Sequence, residues 1–251
     1  MRVTMLGTGT SMPDSTRVQS GMLVQSKDTT VLADVGSGVL HRLVQYGFDF
    51  KTLDAVFLSH FHVDHCSDFM TLCQTLWLEN YSKQLDVFGP PPILEWMKTQ
   101  FEEAFAYLAE KMDLQVGVLS EGTDTPIDDL IVSNVATCHG TVDARALRFV
   151  EDERVVVFSS DTAPCENVKA LATGADLLIH ECNWLDGEYP KEVHTSPSEL
   201  AEVVEAARPR EVVLTHISPE VVAKEKEVVD IVKGSTDSSV SLGNDLMVVD
   251  V

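Results

Sequence analysis

The sequence predicts an α/β layered domain, and three observations carry that expectation. Short β-branched runs recur along the 251 residues, helix-patterned stretches lie between them, and no linker, low-complexity tract or short repeat breaks the alternation. Residues 1–251 are therefore read as one domain, a length that a single large core accommodates.

The opening "MRVTMLGTGTS" passes straight from a strand-like run into a glycine turn. It has no long apolar stretch followed by a small-residue cleavage site, so no leader is expected. "DAVFLSH" (54–60), "LIVSNVATCH" (130–139), "RVVVFSSD" (154–161), "DLLIHE" (176–181) and "EVVLTH" (211–216) read as buried strands. "PPILEWMKTQFEEAFAYLAEKM" (91–112) spaces its apolar residues by three and four, which predicts one long helix. "SPSELAEVVEAARP" opens on Ser196 with Glu199 three residues on, a helix start, and stops at a proline. "SPEVVAKEKEVVDIVKG" predicts a further helix ended by Gly234.

Composition narrows the partners. The net charge of −22, from 40 acidic against 18 basic residues, repels polyanions and disfavours extended contact with nucleic acid. No apolar run approaches the roughly 18 residues of a membrane span, and the expected location is the cytoplasm. The five cysteines form no CxxC pair, which argues against a disulfide framework or a cysteine-rich zinc site. Cys66 and Cys138 sit beside histidines of interest, and both are expected to pack rather than ligate.

The strand ends carry the chemistry. Four of the five runs finish at His60, His139, Asp161 and His216, and loops at strand ends in α/β sheets are where ligands converge. One histidine closing a strand is ordinarily structural. Here three histidines and an aspartate do so, beside "HFHVDH", which packs His60, His62, Asp64 and His65 into six positions. As the chain leaves its strand, His60 and His62 can face one ion, while Asp64 and His65 can serve a second. Seven groups are then available: His60, His62, Asp64, His65, His139, Asp161 and His216. That number suits two divalent ions sharing a carboxylate. Imidazole and carboxylate without thiolate make Zn(II) the expected metal, with Mn(II), Fe and Co(II) compatible.

"HFHVDH" matches the HxHxDH signature of the metallo-β-lactamase superfamily, and the resemblance runs along nearly the whole chain. "MLGTGTSMPDSTRVQSG", "LADVGSG" around Asp34, "FSSDTAP", "LATGADLLIHECNW" and "HTSPSELAEVVEAARPREVVLTHIS" resemble, in order, the motifs of its ribonuclease Z-like and arylsulfatase-like branch. The resemblance implies an αββα sandwich, two mixed β-sheets flanked by helices. It implies that His60, His62 and His139 hold a first metal, that Asp64, His65 and His216 hold a second, and that Asp161 bridges them. His194 matches the histidine that protonates the leaving group in the ribonuclease Z branch, and by motif position Glu181 would orient it. The implied reaction is hydrolysis of a small phosphodiester by a hydroxide bridging the two ions, steered by Asp64. Dimers are usual among such relatives, so the resemblance is compatible with a homodimer.

Three departures refine the expectation. Ribonuclease Z carries a long tRNA-clamping arm between the positions matching His139 and Asp161; here those residues are only 22 apart, which turns the expectation toward a compact substrate. Ser160 stands where the family usually has glycine, and Ser37 where the branch often has glutamate. The stretch from Trp77 to Met112 matches no motif; Trp77, Tyr81, Trp96, Phe101, Phe105 and Tyr107 are candidates to line a pocket, although aromatics at helical spacing are mostly core. His41 and His180 are read as structural. The rival readings are hydrolysis of an aryl sulfate, lactone or thioester at the same site, and a non-catalytic effector-binding protein. The first fits an acidic surface that favours neutral substrates, whereas His194 suits poor leaving groups; the complete set of seven groups speaks against the second.

Overall fold

The computed structural model describes residues 1–190 and 192–251. The first sheet comprises β1 (Arg2–Gly7), β2 (Gly21–Gln25), β3 (Thr30–Ala33), β4 (Ala55–Phe57), β5 (Leu85–Gly89) and β6 (Leu114–Val118). The second comprises β7 (Asp124–Ile127), β8 (Leu130–Ala136), β9 (Arg145–Glu151), β10 (Arg154–Phe158), β11 (Leu177–Glu181), β12 (Glu211–Thr215) and β13 (Ser239–Leu242). The last strand, β14 (Val248–Asp250), returns to pair with β1. The orders are β14-β1-β2-β3-β4-β5-β6 and β13-β12-β11-β10-β9-β8-β7. Each sheet is antiparallel through its first four strands, with β14 leading the first sheet and β7 the second, and parallel thereafter.

The helices are α1 (Val39–Tyr46), α2 (Val63–Cys66), α3 (Phe69–Leu78), α4 (Ile93–Lys98), α5 (Glu166–Ala172), α6 (Pro197–Ala207), α7 (Pro219–Ala223) and α8 (Glu225–Lys233). Successive side chains of a strand point to opposite faces, and here both faces are buried, so the strands read as continuous apolar runs. In β4, Ala55 and Phe57 face the second sheet, where they join Met5, Leu147, Phe149 and Ile179. Val56 faces outward, against Leu43, Phe69 and Leu72 of the helices. On the far side Leu178 and Leu214 pack beneath Val203, Val204 and Val228. The result is the αββα sandwich of two mixed sheets.

Helix α6 has both halves of the capping box: Ser196 and Glu199 satisfy each other's backbone N–H groups, with Pro197 at the first position. The segment 91–112 differs from the single long helix expected of it. After α4 the chain widens into a π-helical turn, Thr99–Ala104, breaks at Phe105 (φ −128°, ψ 44°) and resumes as a 3₁₀ turn, Ala106–Leu108. Spacings of three and four persist across these changes of pitch, so periodicity alone does not reveal them. The helix expected over 218–234 is likewise two, α7 and α8, parted at Lys224 (φ −118°, ψ 24°). No helix among the described residues is long and apolar enough to cross a membrane.

Candidate metal centre

The side chains singled out at the strand ends come together at one end of the sandwich. His60 follows β4 by three residues, His139 follows β8 by three, Asp161 follows β10 by three, and His216 follows β12 directly. His62 is the N-cap of α2, and Asp64 and His65 lie in its single turn. That turn is held close by Gly36, where any Cβ would collide with the Asp64 carbonyl oxygen.

Three overlapping groups of potential metal-binding atoms result, the third joining Asp161 and His216 to His194. His60, His62, His139 and Asp161 offer atoms within 4.8 Å of one another, and so do Asp64, His65 and His216. Asp161 spans both. Its Oδ2 lies 3.7 Å from His139 Nε2, 3.9 Å from His60 Nε2 and 3.3 Å from His65 Nε2, while Oδ1 lies 3.5 Å from His216 Nε2. Asp64 Oδ2 is 3.2 Å from His216 Nε2.

Hydrogen bonds set which nitrogen three of the imidazoles present. Asp34 Oδ2 accepts from His65 Nδ1 at 2.7 Å, which leaves the His65 Nε2 lone pair directed at the cluster. The Val193 carbonyl accepts from His139 Nδ1 at 2.7 Å with the same effect. Ser59 donates its one hydroxyl proton to Asp34 Oδ2 (2.9 Å), so at 3.1 Å it accepts from His60 Nδ1 and frees His60 Nε2. Among the described residues, His60 Nε2, His65 Nε2 and Asp161 Oδ1 are buried without a hydrogen-bond partner. Buried polar atoms are ordinarily satisfied, and converging imidazole lone pairs beside carboxylates are donors suited to a divalent cation. The residues present therefore fit a metal.

The charges agree. Burial, reinforced by the neighbouring His65, holds the His60 imidazole well below its ordinary pKa. Burial and His139 lower His62. Burial would also lower His65, yet Asp161 and Asp34 carry it well above the usual value, so without a cation Nε2 holds a proton that a metal ion would replace. Burial would raise Asp161, but His216 and His65 keep it far below the carboxylate range. Burial likewise works against the lowering of Asp64, which the His216 hydrogen bond secures. The carboxylates thus favour positive charge where the imidazole nitrogens meet. His62 alone of the seven is exposed, which opens the cluster on its side.

His194 lies at the rim. Its Nδ1 is 2.8 Å from Glu181 Oε1, and its ring stacks on His216 with centroids 5.3 Å apart. Glu181 is fully buried and accepts from the backbone N–H groups of Thr162, Asn183 and Thr195 as well. Burial works against charge on His194, but the Glu181 carboxylate raises its pKa.

Other candidates fall away from the cluster. His180 is buried in β11 with Nδ1 on the Glu181 carbonyl oxygen (2.8 Å), and His41 is exposed on α1. Trp77, Tyr81 and Phe101 pack on the outer core, as does Trp96, which with Phe105 and Tyr107 also lines a cavity of about 450 Å³ outside α2. Cys66 packs as expected. Cys138 does not: a bridge to Ala163 turns it outward, and it is exposed. Asp34 is a participant whose role nothing in its spacing announced. Its partner His65 is 31 positions away, and the one available signal was a carboxylate at the end of an apolar strand run.

The sandwich and its histidine–aspartate cluster define a metallo-β-lactamase-fold hydrolase of the ribonuclease Z-like kind. Within that class the chain belongs to the family described as Anti-Pycsar protein Apyc1, whose model matches residues 1–233. Ribonuclease Z of Mycobacterium sp. (strain KMS) is 32% identical over 241 positions, covering 87% of this chain and 85% of that protein. Among solved structures, the metallo-β-lactamase-fold protein YhfI of Bacillus subtilis superposes with a TM-score of 0.86 at 26% identity, covering 99% of this chain and 98% of its own. The short form of human tRNase Z superposes at 0.78 over 100% of this chain and 99% of its own, and at 22% identity that likeness concerns the fold.

Proposed function

We propose that the chain is a dinuclear metal-dependent phosphodiesterase acting on a small phosphodiester, a cyclic nucleotide or a short nucleotide fragment. The observation that carries this reading is Asp161, which stands between the two groups, its Oδ2 near His60, His139 and His65 and its Oδ1 near His216. In this reading His60, His62 and His139 hold one ion, Asp64, His65 and His216 the other, and Asp161 serves both. When bound, two divalent ions, Zn(II) by the donor set, would acidify water and offset the negative charge of the diester.

The chain's own groups do the rest. Asp64 accepts a hydrogen bond from the attacking water and orients it. His194 delivers a proton from Nε2 to the departing oxygen, while Glu181 fixes the tautomer by accepting from Nδ1. Kinship with ribonuclease Z supports chemistry at a P–O bond. The compact substrate is supported by the 22-position separation of His139 and Asp161, which holds only a loop and the β9–β10 hairpin, and by the net charge of −22. The same reading includes a single-domain cytoplasmic protein.

Turnover of bis-p-nitrophenyl phosphate by protein of known metal content, beside Asp161→Ala, tests the proposal. Metal-dependent hydrolysis that disappears in the variant is expected. No turnover with both ions bound would overturn it and turn attention to sulfate, lactone and thioester esters.

A further inference from the structure

The loop that leaves β11 carries an aromatic pair to which the metal centre gives no role, Trp184 at the end of the "LATGADLLIHECNW" stretch and Tyr189 beyond it. Trp184 stands edge-to-face with His194, centroids 5.1 Å apart at 85°, and stacks on Tyr189 at 4.7 Å and 13°. The backbone on both sides of Trp184 is tied down. Asn183 N–H donates to Glu181 Oε2 (3.3 Å), and the Asp186 carboxylate accepts from Ser198 N–H (3.0 Å) and Ser198 Oγ (2.8 Å) at the start of α6. Glu181 therefore holds both the Trp184 loop, through Asn183, and the His194 imidazole, through Nδ1.

A proton donor must meet the leaving oxygen at hydrogen-bond distance, so its ring orientation matters as much as its proton. One hydrogen bond at Nδ1 leaves an imidazole free to swing about that contact. His216 limits the swing by stacking at 25°, His139 approaches at 5.1 Å and 55°, and Trp184 supplies a perpendicular wall. Of these three aromatic neighbours among the described residues, His139 and His216 belong to the metal groups and Trp184 does not.

We infer that Trp184 is a positioning residue for His194, locking the imidazole so that Nε2 points at the leaving-group oxygen, and that Tyr189 backs it. In the step concerned, the water oxygen bonds to phosphorus, the P–O ester bond breaks, and the His194 Nε2 proton passes to the departing oxygen. The proton released by the water then restores His194. The inference rests on the phosphodiesterase reading and predicts that the site is adapted to poor leaving groups, the alkoxides of a ribose.

The test compares two aryl diesters of similar shape, bis-p-nitrophenyl phosphate and diphenyl phosphate, in metal-loaded wild type, His194→Ala, Trp184→Ala and Trp184→Phe. Nitrophenolate leaves without help, whereas phenolate gains from protonation. General-acid assistance contributes about 10²–10⁴-fold, so His194→Ala should lose about 100-fold or more in kcat on diphenyl phosphate and far less on the nitrophenyl ester. Trp184→Ala should show the same selective loss at about 10-fold, and Trp184→Phe should restore it. An independent readout is the His194 imidazole N–H proton by NMR. Held to Glu181 it should exchange slowly in wild type and Trp184→Phe, and quickly in Trp184→Ala. Equal losses on both esters, or no loss on either, would overturn the positioning role while leaving the phosphodiesterase reading intact. Wild-type protein inert toward both esters would overturn the two together.

Discussion

Asp34→Asn isolates the contribution of a residue that never faces the candidate metals. Asp34 is fully buried in a left-handed conformation (φ 59°) and accepts from Ser59 N–H (2.8 Å), Ser59 Oγ (2.9 Å), Ser20 Oγ (3.2 Å) and His65 Nδ1 (2.7 Å). Three of these four reach Oδ2. Asparagine keeps the shape but must set an NH₂ group against one set of donors. With the amide nitrogen at the Oδ2 position, the serine hydroxyls can rotate, but His65 must move its proton to Nε2, the atom that faces the metal group. Losing a carboxylate that orients a ligand histidine typically costs 10–100-fold in metal affinity, about 1.4–2.7 kcal/mol. Chelator-competition titration should therefore find one of two ions bound about 10–100-fold more weakly, the ion shared by Asp64, His65 and His216, with a smaller effect on the other through Asp161. Unchanged affinity at both would refute the tautomer argument, and so would an equal fall at both.

Other perturbations have calculable outcomes. Ser160 sits at φ 53° with its hydroxyl buried and unpartnered among the described residues. Ser160→Gly removes about 1 kcal/mol of left-handed strain and an unsatisfied hydroxyl, against about 0.5–1 kcal/mol of added chain entropy. Thermal unfolding should rise by about 2–4 °C; a fall would show that the hydroxyl is satisfied in solution. Chelation should lower Tm by about 10–20 °C if two ions are each present at about 100 times their Kd, about 2.7 kcal/mol apiece. Zn(II) should restore the loss and Mg(II) should not, because magnesium prefers oxygen donors. A Tm indifferent to chelator would contradict a metal held in these buried groups.

The sequence disclosed the layers and the cluster because both depend on local pattern. Strands buried on both faces read as apolar runs, and a histidine or aspartate closing such a run is conspicuous, which is how His60, His139, Asp161 and His216 stood out. The capping box of α6 was legible for the same reason, Ser196 and Glu199 being three residues apart. What escaped depends on contacts distant along the chain. Asp34 reaches His65 across 31 positions, and Trp184 reaches His194 across a loop with no periodicity. The change of helix type after Lys98 was hidden because apolar spacing survives it. Ser160 was visible as a departure from family glycine, and the positive φ supplies the reason glycine prevails there.

Whether the seven groups hold two ions is decided by metal content. Elemental analysis of the purified protein, beside Asp161→Ala, counts the ions held by the seven groups. Two divalent ions per chain are expected, with zinc predominant, and a loss of ions in the variant while circular dichroism shows the fold retained. One ion or none in wild type after equilibration with Zn(II), or full occupancy in Asp161→Ala, would contradict that expectation.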